Sequence, residues 1–332
     1  MILVTGGSGF IGANFIVDWF SKHEEPLVNL DKLTYAANQE NLNYLNKYDN
    51  YFFEKGSIGD ISLISSLLEK YKPRAVINFA AESHVDRSIA NSDDFIQTNI
   101  IGTHVLLKTS LNYFEKLKGT KKEEFRFIQI STDEVYGSLK DSDPQSTEES
   151  PYFPNSPYSA SKAAGDHLAR AWYETFGLPI ITTNCTNNYG PFQHEEKLIP
   201  HMINSCLKGK KLPIYGDGSN IRDWLYVKDH CDALFVVLNR GKKGETYNIG
   251  GKNEIKNIQV VTQICDILDD IYPKKNGGSY SDQISFIEDR LGHDYRYGLD
   301  ISKIENDLGW TPKENFDSGI NKTIEWYLKK IK

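Results

Sequence analysis

The sequence predicts an α/β protein built on a Rossmann-type, doubly wound parallel sheet, with a smaller, interleaved C-terminal substrate domain. Three observations lead there. A short β-rich run, Ile2 to Thr5, leads directly into Gly6-Gly7-Ser8-Gly9-Phe10-Ile11-Gly12 and then a helical pattern, the strand, glycine turn and helix of a dinucleotide site. Short apolar runs then alternate with helical patterns as far as Asn184, the alternation that builds parallel sheets. At 332 residues the chain exceeds the usual single-domain size, so one large domain with a smaller one appended is expected.

Taken in order, the glycines at 6, 9 and 12 let the backbone turn tightly, approach a pyrophosphate and pack helix on strand. The helix follows through Phe15, Ile16, Trp19 and Phe20. Leu27 to Leu30 reads as a second strand ending at Asp31, about 20 residues past the last glycine, where an acidic side chain suits a ribose hydroxyl. That favours NAD; Lys32 could accommodate the extra phosphate of NADP, but Asp31 would repel it. Tyr51 to Phe53 is strand-like, and Asp60 suits the cap of a helix carrying Ile61, Ile64, Leu67 and Leu68. Ala75 to Phe79 is a further buried strand, with Ala80-Ala81-Glu82-Ser83-His84-Val85-Asp86 leaving its carboxyl end. A long helix is predicted from Asp93 to Phe114. Its apolar residues cover more than one face, as do those of the helix containing Tyr158, a pattern that suits either burial within one subunit or pairing with a second.

Phe125 to Ile130 predicts a buried strand, so Ser131-Thr132-Asp133-Glu134 emerges where open α/β sheets hold their ligands. A hydroxyl and two carboxyls delivered together offer one donor and two proton carriers; unlike surroundings can hold one carboxyl protonated and the other ionised. A polar turn with a capping Asp is the plainer alternative. Tyr158 and Lys162 lie four apart on one predicted helix face, where an ammonium beside a phenol lowers the phenol pKa toward that of a usable base. Lys140 to Pro157, rich in Asp, Ser, Glu and Pro, reads as an exposed loop over the site.

Ile180 to Thr183 fits a sixth strand, after which Asn187-Asn188-Tyr189-Gly190-Pro191 ends the alternation and substrate-binding elements begin. Leu212 to Gly218 reads as strand and turn, Ile221 to Tyr226 is β-rich, Val227 to Leu238 is helical, and Asp289, Arg290, His293 and Asp294 form a charged loop before the final helices.

Composition excludes several classes. Hydrophobic residues at 39% and charged residues at 25% are those of an ordinary globular protein. A net charge of −7 without a basic block argues against a nucleic-acid partner. Cys185, Cys206, Cys231 and Cys265 have neither zinc-site spacing nor the density of a disulfide scaffold, so reduced cysteines and a cytoplasmic location are expected, with no metal. Neither a targeting segment nor a membrane span is expected, since the start lacks a basic n-region and no apolar run approaches bilayer length.

Through Gly6-x-x-Gly9-x-x-Gly12 and Tyr158-x-x-x-Lys162 the chain resembles the extended short-chain dehydrogenase/reductase superfamily, nearly end to end. Thr132-Asp133-Glu134, Asn78 to Asp86, Asn187 to Pro191, Lys197-Leu198-Ile199-Pro200 and Arg222-Asp223-Trp224 narrow the resemblance to the dTDP-glucose 4,6-dehydratase family. Related epimerases carry small or hydroxyl residues in place of Asp133 and Glu134, and several other 4,6-dehydratases keep only the Glu.

The resemblance implies oxidation of the sugar at C4 with Tyr158 as base and Lys162 assisting, removal of the C5 proton by Glu134, and protonation of the departing C6 hydroxyl by Asp133. Hydride then returns to C6, with Thr132 bonding the C4 oxygen throughout. It further implies an NAD path along Gly6, Gly9, Phe10, Ile11, Gly12, Asp31, Lys32, Leu33, Thr34, Asp60, Ile61, Phe79, Ala80, Ala81, Ser83, Thr98, Tyr158, Lys162 and Asn188. The sugar nucleotide, dTDP-glucose, is assigned to Ser83, Thr132, Asn187, Glu196, Lys197, Pro213, Ile214, Tyr215, Arg222, Asn257, Asp289, Arg290, His293 and Asp294, with Arg222 and Arg290 suited to the diphosphate. Residues 1–184 and about 221–250 are expected to form the NAD domain, about 185–220 and 251–332 the sugar-nucleotide domain. A homodimer through two helices per subunit and a role in deoxysugar synthesis, such as that of dTDP-L-rhamnose, follow from the same resemblance. A UDP-sugar 4-epimerase needs no acid–base pair at C5 and C6, and a non-catalytic NAD-binding sensor needs neither Tyr158 nor Lys162; these are the alternatives the residues count against.

Overall fold

The computed structural model describes residues 1–275 and 277–331. Six strands come first: β1 (Ile2–Thr5), β2 (Leu27–Asp31), β3 (Tyr51–Lys55), β4 (Ala75–Asn78), β5 (Arg126–Thr132) and β6 (Ile180–Cys185). Six more follow: β7 (Asn187–Tyr189), β8 (Leu212–Tyr215), β9 (Ile221–Tyr226), β10 (Thr246–Ile249), β11 (Glu254–Lys256) and β12 (Ile284–Ile287). Seven of them form one parallel sheet in the order β10-β6-β5-β4-β1-β2-β3. The order reverses beside β1, which makes the carboxyl ends of β1 and β4 the natural crevice for a ligand. β7, β9 and β11 make a separate three-stranded sheet and β8 pairs with β12.

The sheet is buried on both faces because its strands alternate toward two apolar layers. Ile2 and Val4 pack with Phe15, Trp19 and Phe235; Leu3 packs with Ile64, Leu67 and Leu106. A third core, with Met202, Ile203, Val261, Ile264, Leu268 and Ile320, lies under the C-terminal elements. Burial of each such side chain contributes about 1.5–3 kcal/mol, so these layers, rather than the polar cleft, hold the structure together.

Two features of the chain differ from the sequence reading. The long helix is not uniform: Asp93–Phe95 passes into a π-helical Ile96–Gly102 and then Thr103–Lys116. At the wide turn Asn99 donates through Nδ2 to Glu82 O and Ser161 Oγ, both at 2.9 Å, and accepts from Glu82 N through Oδ1 at 2.9 Å. A side chain clamped to two neighbouring segments favours such a bulge, and π-bulges gather at functional sites. The stretch from Lys140 to Pro157 is less exposed than its composition suggests. Leu139 N bonds Arg296 O and Ser146 N bonds Gly298 O, both at 2.9 Å, and Ser146 is buried. The loop is stitched to the C-terminal segment.

Candidate active site

The glycine turn dictates the first wall. Gly6 sits at φ +68°, and a Cβ there would lie 2.6 Å from Ala80 N; a Cβ on Gly12 would lie 2.5 Å from Gly6 O. Neither position tolerates a side chain, which keeps the turn against β4 and the start of helix Phe10–Lys22 within reach of a phosphate. Gly9 meets only Gly6 O at 3.3 Å and leaves its face open to the cleft. Asp31, at the end of β2, is buried and accepts from Ser8 N (2.9 Å) and Leu33 N (2.7 Å). These bonds lock the acid beside the glycine turn, and a carboxylate retains acceptor capacity for a ribose hydroxyl. Burial raises its pKa while the two amides pull it down.

The chemical wall is the end of β5 with the facing helix. Ser156 Oγ accepts from Ser159 N and Ser159 Oγ from Ser156 N, each at 3.0 Å, a capping box that starts helix Pro157–Phe176. Tyr158 and Lys162 therefore stand in its first turns, both buried. Thr132 ends β5, and its Oγ accepts from Glu134 N at 3.3 Å, capping the short 3₁₀ turn Asp133–Tyr136. Thr132 Oγ also donates to Asp133 Oδ1 at 3.2 Å, while Asp133 Oδ2 is buried with no partner among the described residues. Burial, then the neighbouring Glu134, holds the Asp133 carboxyl well above its usual range; burial raises Glu134 too, with Arg222 and Lys197 pulling it back. One acid kept protonated beside one held nearer ionisation is the arrangement that a proton donor and a proton acceptor require.

The expected pairing of phenol and ammonium takes a different form. Lys162 Nζ donates to Ile130 O at 2.6 Å; burial lowers its pKa, and Asp166 is the main group that opposes this. The Tyr158 phenol is pushed well above its usual range by burial and then by Glu134, with Thr132 acting in the opposite direction. Lys162 alone does not lower it, because the ammonium is turned to a carbonyl and its field is shared with a carboxylate.

One cleft brings together Gly6, Gly9, Phe10, Ile11, Gly12, Asp31, Lys32, Thr34, Phe79, Ala80, Ala81, Ser83, Thr98, Thr132, Asp133, Glu134, Tyr158, Lys162, Asn187, Asn188, Glu196 and Lys197. Leu33 lies outside this lining and contributes through its amide. Asp60 and Ile61 also lie outside: Asp60 caps helix Ile61–Tyr71 through Leu63 N (3.0 Å), and Ile61 is exposed. Ser57 and Ile58, just past β3, line the cleft. The rule that ligands collect at strand carboxyl ends points to them.

The residues assigned to the sugar nucleotide form an adjoining polar cluster. Arg222 is buried, donates to Asp294 O (2.8 Å) and Tyr295 O (3.2 Å), and lies 4.4 Å over the Tyr297 ring. Arg290 grips Asp86 through two bonds of 2.5 and 3.0 Å and lies over Tyr215, on the strand with Pro213 and Ile214. His293 Nδ1 sits 2.6 Å from Asp289. Asp294 receives Asn155 Nδ2 at 2.6 Å and the hydroxyl of Tyr297. Asn257 and Asn187 each leave a buried Oδ1 without a partner among the described residues. Lys197 donates to Ser83 O at 2.8 Å, and Glu196 accepts from Tyr35 (3.0 Å) and Arg87 (3.3 Å), so these two join the cofactor wall to the second lobe. Sequence reasoning missed Asp166, Tyr35 and Asn99, none of which belongs to a local motif; Ser131 and Glu82 stood inside runs already singled out, without these partners.

The glycine cradle, the acid at the end of β2 and the small residues after β4 fit a dinucleotide. A family model described as GDP-mannose 4,6 dehydratase matches residues 3–323. A dTDP-glucose 4,6-dehydratase of Haemophilus influenzae is 54% identical over 98% of this chain and 97% of its own. The crystal structure of a dTDP-glucose 4,6-dehydratase from Bacillus anthracis in complex with NAD superposes with a TM-score of 0.87 at 44% identity, covering 99% and 96% of the two chains. A UDP-glucose 4-epimerase from Thermotoga maritima shares the fold, with a TM-score of 0.87, at 28% identity over 100% of this chain and 99% of its own.

Proposed function

The chain belongs to the dTDP-glucose 4,6-dehydratase family, and from that premise we propose that it converts dTDP-glucose to dTDP-4-keto-6-deoxyglucose and water with NAD regenerated in each cycle. The observation that carries this reading over an epimerase is the buried pair Asp133 and Glu134, set by the Thr132 cap in the same cleft as Tyr158. A sugar-nucleotide oxidoreductase that only inverts C4 has no use for two further proton carriers at that wall.

NAD held in the cradle would supply the hydride acceptor for C4, the hydride returned to C6, and a positive charge on its oxidised ring. Thr132 holds the C4 oxygen through its hydroxyl, and Tyr158, as the phenolate that the Lys162 ammonium favours, takes the proton of the 4-hydroxyl and becomes the neutral phenol. The 4-ketone acidifies C5, whose proton passes to Glu134. Asp133, protonated because of its burial, gives its proton to the departing C6 hydroxyl, and water leaves. Glu134 then returns a proton to C5, and before the next turnover Tyr158 gives its proton to solvent and Asp133 takes one up. The cleft keeps these steps in one geometry, which supplies much of the rate enhancement.

Phe10, Ile11, Lys32, Thr34, Thr98 and Asn188 are read as further contacts of NAD. Ser83, Asn187, Glu196, Lys197, Arg222, Asn257, Arg290, His293 and Asp294 are read as the sugar-nucleotide contacts, Arg222 and Arg290 facing the diphosphate. Residues 1–184 and about 221–250 are assigned to the NAD domain, and the return of β10 to the main sheet supports that reading. A homodimer through the helices around 93–116 and 157–176 is supported by Ile96, Ile101 and Phe176, large apolar side chains exposed there. A cytoplasmic enzyme feeding deoxysugar synthesis such as that of dTDP-L-rhamnose is the setting we assign; its four cysteines are free and buried, and no described helix is long and apolar enough to cross a membrane.

The test is incubation of the purified protein with dTDP-glucose and with UDP-glucose, following product mass and NADH absorbance. Loss of one water from dTDP-glucose without net NADH is expected. An epimer of unchanged mass would transfer the protein to the epimerases.

A further inference from the structure

Asp166 lies one turn beyond Lys162 on the same helix, is 5% exposed, and takes no part in the steps above. Its surroundings are built around it. Ser131 Oγ, on β5 immediately before Thr132, donates to Asp166 Oδ2 at 2.5 Å, and Tyr152 Oη donates to the same oxygen at 3.4 Å. Tyr152 Oη in turn accepts from Asn184 Nδ2 on β6 at 3.1 Å, and that amide also donates to Tyr136 Oη at 2.9 Å. Tyr136 Oη donates to Asn248 Oδ1 on β10 at 2.9 Å, whose backbone amide is held by Glu148 at 2.8 Å. Every hydroxyl that reaches Asp166 points its proton inward, a pattern that suits a carboxylate and leaves nothing to accept from a carboxylic acid on Oδ2. Oδ1 is buried and has no partner among the described residues.

The groups facing Asp166 are Lys162 on its own helix, Ser131 on β5 and Tyr152 on the loop before the helix. Tyr136 and Cys185 lie behind them, His167 packs on Tyr152 with ring centroids 5.4 Å apart, and Glu148 closes the far end of the network. Lys162 is the cation of this set, and its ammonium has the Ile130 carbonyl as its hydrogen-bond acceptor. Burial lowers the Lys162 pKa, as expected of a buried ammonium with only a carbonyl, and the Asp166 carboxylate is the main group opposing that loss of the proton.

We propose that Asp166 is a positioning residue of the dehydratase reaction: its buried carboxylate keeps Lys162 charged and, through Ser131, anchors the end of β5 that carries Thr132, Asp133 and Glu134. The two catalytic halves, phenol with ammonium and the acid pair, are thus tied to one carboxylate that touches neither substrate nor cofactor. The inference rests on the dehydratase reading of the cleft. Burial drives the Asp166 carboxyl up to about 6 against Lys162, Ser131 and Tyr152, which hold it down. Its charge, and with it the hydrogen bonds from Ser131 and Tyr152 to a carboxylate, is therefore lost as pH falls through that value.

The experiment compares wild type, Asp166→Asn, the double variant Ser131→Ala/Tyr152→Phe and His167→Gln, each with its bound NAD content and melting temperature measured. Turnover of dTDP-glucose is then followed between pH 5 and 9. In Asp166→Asn, kcat is expected to fall by about tenfold or more, as for a lost hydrogen bond to a charged group, with KM and NAD content unchanged and the part of the acid limb that falls near 6 through Asp166 absent, the part from Glu134 remaining. The double variant removes the two donors, so its acid limb moves upward by about one unit. His167→Gln leaves the limb in place. If Asp166→Asn does not fold, the upward shift in the double variant carries the test alone. A wild-type pH profile in the folded Asp166→Asn or in the double variant, or a limb that follows His167, overturns the proposal. A wild type that leaves dTDP-glucose unchanged overturns the dehydratase reading instead.

Discussion

The two walls of the cleft, which we have proposed for the cofactor and for the sugar nucleotide, are made from different materials. The first is mainly backbone: the turn at Gly6 and Gly12 has no room for a side chain, and Asp31 is fastened by amides two residues downstream and across the turn. The second is a set of charges from distant stretches that compensate one another, with Arg290 on Asp86, His293 on Asp289 and Arg222 on the carbonyls of Asp294 and Tyr295. A ligand reaching the first wall finds donors already aimed at it. A diphosphate reaching the second must compete with Asp86 for Arg290, and gains charge-assisted bonds only to the extent that it displaces or shares them. Rigidity belongs to the first wall and adjustability to the second.

The largest test falls where the walls meet. Asp133→Asn and Glu134→Gln are each expected to lower dehydration by about 10²–10⁴-fold, the usual worth of a positioned proton carrier. C4 oxidation survives, so NADH absorbance accumulates in a rapid-mixing trace. Loss of both steps together would mean that the pair holds the sugar rather than moving its protons. Glu134 must be ionised to take the C5 proton, so kcat falls as pH drops through its raised pKa; Asp133 must stay protonated, so kcat also falls as pH rises through its own.

Next, Gly12→Ala attacks the backbone wall. Its Cβ would meet Gly6 O at 2.5 Å, an overpacking worth about 1–3 kcal/mol. Calorimetry is expected to show a lower melting temperature, and the purified variant to carry less NAD. Arg222→Lys attacks the charged wall: it keeps the charge but loses the fork that spans Asp294 O and Tyr295 O and the stacking on Tyr297. About a tenfold rise in KM for dTDP-glucose is expected, with NAD content unchanged. If either variant disturbed both ligands equally, the division into two kinds of wall would not stand.

The smallest effect is on stability. Burial raises the Asp133 pKa above its ordinary 3.8, so the associated stability is full below that value and is lost as pH rises through the folded-state pKa. Asp133→Asn is therefore expected to gain on wild type with rising pH, by about 1 kcal/mol for each unit of the shift, in melts recorded from pH 5 to 9.

Much of the cofactor wall was legible because its parts are local. The glycines need one another within seven residues, Asp31 follows at a fixed distance along one βα unit, and Tyr158 and Lys162 share a face through helical spacing alone. The Asp60 cap was legible for the same reason, since a cap bonds an amide three residues on. Its place relative to the cleft was not, because that depends on where β3 ends in the sheet. Asp166 shows the limit most clearly. In the sequence it is one polar residue in an apolar helix; its meaning comes from Ser131 and Tyr152, 35 and 14 residues away.

By itself the sequence determined the parallel sheet, the glycine turn, the capped helix and the acid–base triplet at the end of β5, all products of periodicity and short-range hydrogen bonding. Only the tertiary structure decided the state of the charged groups. Whether Asp133 holds a proton, whether Lys162 serves Tyr158 or Ile130, and whether Arg290 is free or bound to Asp86 depend on burial and on partners far apart in the chain. Desolvation and Coulomb energy are set by distance in space, and no spacing along the sequence contains that quantity.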